Sequence, residues 1–216
     1  MDFTNYRLWF EKKGSCRFIS HLDLTRVVAR ALKLSGLPVW YTEGFNPRIY
    51  MTYGMPLSLG VTGLHEILEI RLVEDVPFDT IIERLNDRLP ADIRILEAAL
   101  PVKKLEEIAW ADYTVTLTGP DPQGQLDRLE ALLAQPEIRV MKHGKKGDKE
   151  IDIKPDFAAM GRELAPDGTL RLTMRLPCSV NGSVNPSLLL DALGEDAAQA
   201  GIVRTELLGE DQQPLR

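Results

Sequence analysis

The stretch KGSCRFISHLDLTR (13–26) sets Arg17, Ser20, His21, Asp23 and Arg26 within ten residues. Ser20 stands before an apolar run of helical spacing, where its hydroxyl can cap free backbone amides. Asp23, three residues on, is where a carboxylate meets the same amides, as in a capping box. A helix start beside Arg17, Arg26 and Arg30 suits a phosphate. The same residues also read as a capped helix end in solvent. His21 falls in the first turn, where the helix dipole disfavours the imidazolium. As a catalytic acid or base it has no visible base or nucleophile to work with.

A second stretch, EGFNPR (43–48), follows an extended run. Gly44 permits a positive φ, Asn46 can bond its own backbone and Pro47 fixes a turn. Glu43 opens the turn and Arg48 closes it. Phe45, Tyr50 and Tyr53 lie in or just after this polar loop. Rings on a glycine-broken loop with an arginine are the ingredients of a base-stacking platform with a phosphate contact. The alternative is a core role, with the rings tucked under the loop. A third stretch, KHGKKGDK (142–149), places Lys142, Lys145 and Lys146 at a hairpin tip. Such lysines keep an edge soluble, and they can also meet a phosphate backbone.

Absences narrow the chemistry. The sequence holds no P-loop, GxSxG, HxxxH or HExxH, and only three histidines. A self-contained metalloenzyme or acyl-transfer enzyme is not expected. Cys16 and Cys178 are far apart and cannot alone hold zinc or an iron–sulfur cluster. With no signal peptide and no long apolar run, the expected compartment is the reducing cytoplasm, with no membrane contact.

With 44% hydrophobic and 27% charged residues, the chain reads as an ordinary globular protein. The formal net charge of −6 points to neither nucleic acid nor membrane as a whole. The charge is uneven, however. Residues 1–48 carry eight basic and four acidic side chains, a local +4, whereas residues 106–216 sum to −7.

These residues need elements to hold them. YRLWFEKK alternates and predicts a strand; SHLDLTRVVARALKLSG predicts a helix stopped by Gly36 and Pro38. LPVWYTEG reads as a second strand, RIYMTYG as a short extended piece and HEILEIRLVED as a clear strand. PFDTIIERLNDRLP predicts a helix and ADIRILEAAL a strand. After a charged segment at 101–110 the order recurs. ADYTVTLTG, GTLRLTMRLP and GIVRTELLGE predict strands; DPQGQLDRLEALLAQP and NPSLLLDALG predict helices; EIRVMKHG and KEIDIKP form a hairpin. The fold class is therefore α+β. The expectation is two tandem ferredoxin-like (βαββαβ) units, residues 1–104 and 108–216, each an open antiparallel sheet with helices on one face. The two sheets then either face each other or share an edge; one continuous mixed sheet and one ferredoxin-like unit with an unrelated partner are the alternatives.

KGSCRFISHLDLTRVVARAL and LPVWYTEGFNPRIYMTYGMPLSLGV closely resemble the uncharacterised radical-SAM-linked protein family, over roughly the first 70 residues. That family shares KG-x-x-R-F-[IL]-S-H-L-D-L-x-R, then L-P-x-x-Y-[ST]-E-G-F-N-P-H-P, then P-L-[PS]-L-G-V. The matching positions include Arg17, Phe18, Ser20, His21, Asp23, Arg26, Glu43, Gly44, Phe45, Asn46 and Pro47. Arg48 and Ile49 stand where the family has His-Pro, which replaces a histidine acid or ligand with a cation. The resemblance implies a radical SAM protein as partner. This chain lacks CxxxCxxC, so SAM and its iron–sulfur cluster are expected only in that partner, with no cofactor or metal in this chain. The tandem plan is also similar to that of CRISPR RNA-processing endoribonucleases, an analogy of fold alone.

The functional expectation is a non-catalytic RNA-binding or substrate-presenting accessory module that serves a radical SAM enzyme in RNA or ribosome-related modification. Transfer and ribosomal RNA are the candidate ligands. An RNA-cleaving enzyme using His21 and a purely structural protein-interaction module are the alternatives. Both N-terminal loops are expected to leave the sheet at one end, so that Arg17, His21 and Asn46 line a shared concave site.

Overall fold

Residues 6–10, YRLWF, are buried on both faces of one strand, and the fold of the first half is built around it. The structure is a computed structural model that describes residues 2–142 and 147–216. The central strand, β1 (Thr4–Lys12), pairs antiparallel with β3 (Thr62–Leu72), from Thr4↔Leu72 to Lys12↔Gly63. On its other side lies β4 (Ile93–Ala99), also antiparallel. β2 (Met51–Tyr53) takes the outer edge of β3 opposite 68–70. The order in this half is β4-β1-β3-β2.

Helical spacing places Leu24, Val28, Ala31 and Leu32 on the inner face of α1 (His21–Leu34). Ile81 and Leu85 do the same for α2 (Phe78–Asn86). Both helices pack on Leu8, Phe10, Leu68, Ile70 and Ile95 of the sheet.

In the second half β5 (Ile108–Leu117) lies between β9 (Leu170–Ser179) and β11 (Gly201–Gly209), antiparallel to both. β8 (Gly161–Leu164) and the two-residue β10 (Gly182–Ser183) pair with β9. The strand order β11-β5-β9-β8 follows. α3 (Pro122–Leu133) and α5 (Ser187–Leu193) are its helices. β6 (Arg139–Lys142) and β7 (Lys149–Asp152) make a separate hairpin, followed by the one-turn α4 (Lys154–Phe157).

The two halves share one nine-stranded, mostly antiparallel sheet. β3 is long enough for two neighbours on one edge: β2 takes 68–70, and β11 runs parallel to it at Val203↔Thr62 and Arg204↔Gly63. Trp9, Leu57, Val61 and Ile67 of the first half accordingly join the core of the second.

The two sheets share an edge, through β11 on β3. Other expectations need correction. LPVWYTEG is not a regular strand; single bridges at Val39↔Leu72 and Tyr41↔Ile49 mark its course. β8 and α4 were not legible, being too short to show a period. The sheet face away from α1 and α2 is not open. Residues 101–107 and the C-terminal tail cross it: Arg7 donates to the Lys103 carbonyl at 2.5 Å, and Lys103 N–H donates to Arg216 O at 2.7 Å. The Arg216 guanidinium lies 5.2 Å from the Trp9 ring, which is 2% exposed.

Candidate functional site

The loop after β1 is fixed from below and from the side. Gly14 has φ +53°, and a Cβ there would meet the Asp92 carboxyl at 2.5 Å. Asp92 instead accepts from the Ser15 amide and hydroxyl, both at 2.8 Å. Beneath the loop Lys12 is 1% exposed. Its ammonium donates to the Ile19 carbonyl at 3.2 Å and the Arg17 carbonyl at 3.4 Å. Burial pulls the Lys12 pKa down, against the opposing charge of Glu66. The Arg17 carbonyl also accepts from Gly60 N–H at 2.9 Å. The guanidinium of Arg17 sits 4.6 Å over the exposed Phe18 ring.

Ser20 caps α1 as its position suggests, accepting from Asp23 N–H at 3.1 Å. Its own hydroxyl donates to the Asp23 carboxylate at 2.7 Å, and Arg26 donates to the same carboxylate at 2.9 Å. The Ser20 hydroxyl and then Arg26 hold the Asp23 pKa below its ordinary value. A carboxylate thus already stands where an anion would bind at this helix end. The His21 ring meets Tyr53 edge-on, with centroids 4.9 Å apart. Burial, then the charge of Lys12, pulls its pKa down. Among the described residues none hydrogen-bonds the ring.

The EGFNPR loop leaves the edge of the sheet part-way along it. Trp40 N–H donates to Arg71 O at 2.8 Å, and the chain rejoins β3 at Met51↔Ile70. Between them Thr42 N–H donates to Arg48 O at 2.8 Å, while the Thr42 hydroxyl accepts from Arg48 N–H at 3.1 Å. Gly44 at φ +121° lets the tip turn. Glu43, Phe45, Asn46, Pro47 and Arg48 are all exposed, and the Phe45 ring touches water over its whole surface. Among the described residues no carboxylate pairs with Arg48.

This interruption changes which segments meet. The base of the 41–49 loop lies opposite 70–72, whereas the 14–20 loop follows Lys12 opposite Gly63. That interval is about 25 Å along β3. The loops therefore do not leave the sheet at one end. The Arg17–His21 segment is joined by Tyr53 and Gly60, while Asn46 stands on the exposed loop whose base lies part-way along the edge, opposite 70–72.

Tyr50 and Tyr53 also part company. Tyr53 turns inward against Phe10, its ring 6.0 Å away, and burial pushes its phenol pKa well up. Tyr50 lies 3.8 Å from the Arg71 guanidinium. Phe3 at 4.0 Å and Trp40 at 5.1 Å complete three rings around that cation. Arg71 Nε donates to Asn5 Oδ1 at 2.9 Å. Phe3, Trp40 and Arg71 carry no local motif; only β-pairing brings them together. Of the basic hairpin, Lys142 donates to Ser183 O at 2.7 Å. Lys145 and Lys146 lie outside the described residues.

A further group invisible in the sequence anchors the MPLSLG segment. Arg204 donates to Glu66 through Nε at 2.8 Å and Nη2 at 2.5 Å, and also to the carbonyls of Met55 (3.0 Å) and Pro56 (3.3 Å). Among the described residues no cluster of three or more His, Cys, Asp or Glu side chains could hold a metal ion, and no helix is long and apolar enough to cross a membrane. Cys16 is half-buried and Cys178 buried, both as free thiols.

Residues 5–186 match a family described as "Uncharacterized protein conserved in bacteria (DUF2344)", and the chain belongs to that family. No curated protein matches. A solved structure, "Crystal Structure of an Unknown Protein from Galdieria sulphuraria", is similar at 14% identity, over 93% of this chain and 96% of that one. Its TM-score of 0.28 is too low to carry an argument about fold or function.

Proposed function

We propose that this protein is a non-catalytic RNA-binding or substrate-presenting accessory module that works with a radical SAM enzyme in the cytoplasm, in RNA or ribosome-related modification. In this reading the chain is two ferredoxin-like units, residues 1–104 and 108–216, fused edge to edge. The matching orders β4-β1-β3-β2 and β11-β5-β9-β8 support the tandem plan. SAM, the iron–sulfur cluster and the radical chemistry belong to the partner.

The observation that carries the reading is the 43–48 loop. Phe45 does no packing, and Arg48 beside it has no acid among the described residues. An exposed ring three positions from a cation that has no carboxylate partner among the described residues suits a base and its phosphate. The test is titration of labelled transfer and ribosomal RNA fragments at several salt concentrations. Binding that falls steeply with salt supports the proposal. Binding no greater than that of an acidic control protein at low salt overturns it.

A second reading, docking onto a protein, is favoured by a recess of about 340 Å³ lined by Phe18, Leu59, Gly60, Val61 and Ile202. It is largely apolar and sits where the family motifs meet the second half. The radical SAM protein itself would be the occupant. Cleavage of RNA by His21 has weaker support, because the ring lacks an acid or base partner among the described residues.

A further inference from the structure

We infer that the ligand of this surface is single-stranded RNA, one unpaired base of which stacks on Tyr50 in the recess beside it. The inference rests on the RNA reading above and names the form of RNA it requires. The recess holds about 220 Å³ and is lined by Tyr50, Thr52, Asn5, Glu69, Lys103 and Lys104, among others. That is below the 300 Å³ or so at which drug-sized pockets begin, and it suits one planar heterocycle.

Its polar groups have unused capacity. Asn5 gives its oxygen to Arg71, which leaves its amide NH2 without a partner among the described residues. The Thr52 hydroxyl is likewise unpartnered among them. Glu69 Oε1 accepts from Arg7 Nε at 3.1 Å and Nη2 at 2.5 Å, leaving Oε2 open. A donor, a hydroxyl and an acceptor in one recess can read the edge of a base. Arg7, wholly buried, is held by two residues that line the recess, Glu69 and Lys103, yet its Nη1 has no partner among the described residues. An unsatisfied buried donor of this kind marks a place for an acceptor or an ordered water.

The stacking surface is already rigid. Arg71 lies against Tyr50 at 3.8 Å and against Phe3 at 4.0 Å, so the Tyr50 ring is held before any ligand arrives. Arg48 at the loop and Lys104 at the strap carry charges without carboxylate partners among the described residues, and they can take flanking phosphates. Phe45 offers a second stacking ring. A duplex cannot use this arrangement, because its bases stack on one another and its deep major groove admits no side chain.

The test uses the full chain and fluorescence anisotropy with a short labelled oligoadenylate, an oligouridylate and a duplex of the same length. Single strands are expected to bind at least about tenfold more tightly than duplex. Tyr50→Leu should weaken single-strand binding by about 5- to 150-fold, the range for loss of one stacking ring. Thr52→Glu puts a charge into the recess from an exposed position and should weaken it about tenfold with the fold intact, checked by circular dichroism. This second variant decides the matter if Tyr50→Leu does not fold. Equal affinity for duplex, or unchanged binding by a folded Thr52→Glu, overturns this inference and leaves the RNA reading standing. Failure of every RNA to bind overturns both.

Discussion

Glu66 and Arg204, 138 positions apart in the chain, form a two-pronged ion pair in which each side chain is 3% exposed. The pair bridges β3 and β11 where the two halves of the sheet meet. Burial opposes the charge on Arg204, and the Glu66 carboxylate more than offsets it. Gly63 makes room: a Cβ there would meet Glu66 Cγ at 2.5 Å. The remaining Arg204 donors hold the carbonyls of Met55 and Pro56, so the pair also positions the segment that reaches the Arg17 loop.

Arg204→Met is expected to destabilise the fold by about 3–5 kcal/mol, because it strands a buried carboxylate. Adding Glu66→Met should recover most of that loss, since two apolar side chains replace the pair. Urea unfolding of the two variants and wild type checks both statements. Equal losses in single and double variants would show that the carbonyl contacts, and not the charge pair, matter.

A neighbouring contact makes stability depend on pH. His65 Nδ1–H donates to the Glu206 carboxylate at 2.8 Å, and the ring lies 3.6 Å from Glu97 and stacks on Trp9. Burial disfavours its charged form, but bonding to Glu206 and the charges of Glu206 and Glu97 outweigh burial and the repulsion of Arg216, so its pKa is raised. A histidine raised on folding stabilises fully below its unfolded pKa of about 6.5, and that contribution is lost as pH rises through the folded value. Unfolding free energy should therefore fall between pH 6 and pH 8, by less than about 1 kcal/mol for this partly exposed pair. In His65→Gln that part of the slope should vanish.

Phe45→Ala should leave stability unchanged within about 0.5 kcal/mol, because the ring packs on nothing. The same variant should weaken RNA binding by about 1–3 kcal/mol with little change in salt slope, since stacking is not ionic. Arg48→Ala should instead flatten the slope by about 0.7, one single-strand phosphate contact. Thermal melts and titrations at three salt concentrations separate the two effects. A Phe45→Ala protein that melts early would mean the ring supports the loop.

His21→Ala should leave a labelled RNA pool as intact as wild type does. Partial burial and the charge of Lys12 both lower the pKa of the ring, and no base is bonded to it among the described residues. Cleavage by wild type that disappears in His21→Ala would restore the ribonuclease alternative.

The sequence by itself determined the local pieces. Period-two alternation in HEILEIRLVED and helical spacing from Leu24 to Leu32 mark β3 and α1, because each pattern is a direct image of one buried face. Ser20 as cap and Gly44 as a turn residue were legible for the same reason: their roles involve only near neighbours along the chain. The α+β order follows from such pieces. What only the tertiary structure decided is which distant edges meet. Nothing local tells β3 to accept β11 beside β2, or pairs Glu66 with Arg204. Nor does it draw Phe3, Trp40 and Tyr50 around Arg71, or cover Trp9 with residues 101–107 and the C-terminal tail. The loop at 41–49 is the sharpest case. Its turn residues are plain in the sequence, but its position part-way along an edge is set by pairing with Arg71 and Ile70. The backbone groups that pair strands are the same at every residue, so the spacing within one segment does not say which distant edge it will meet.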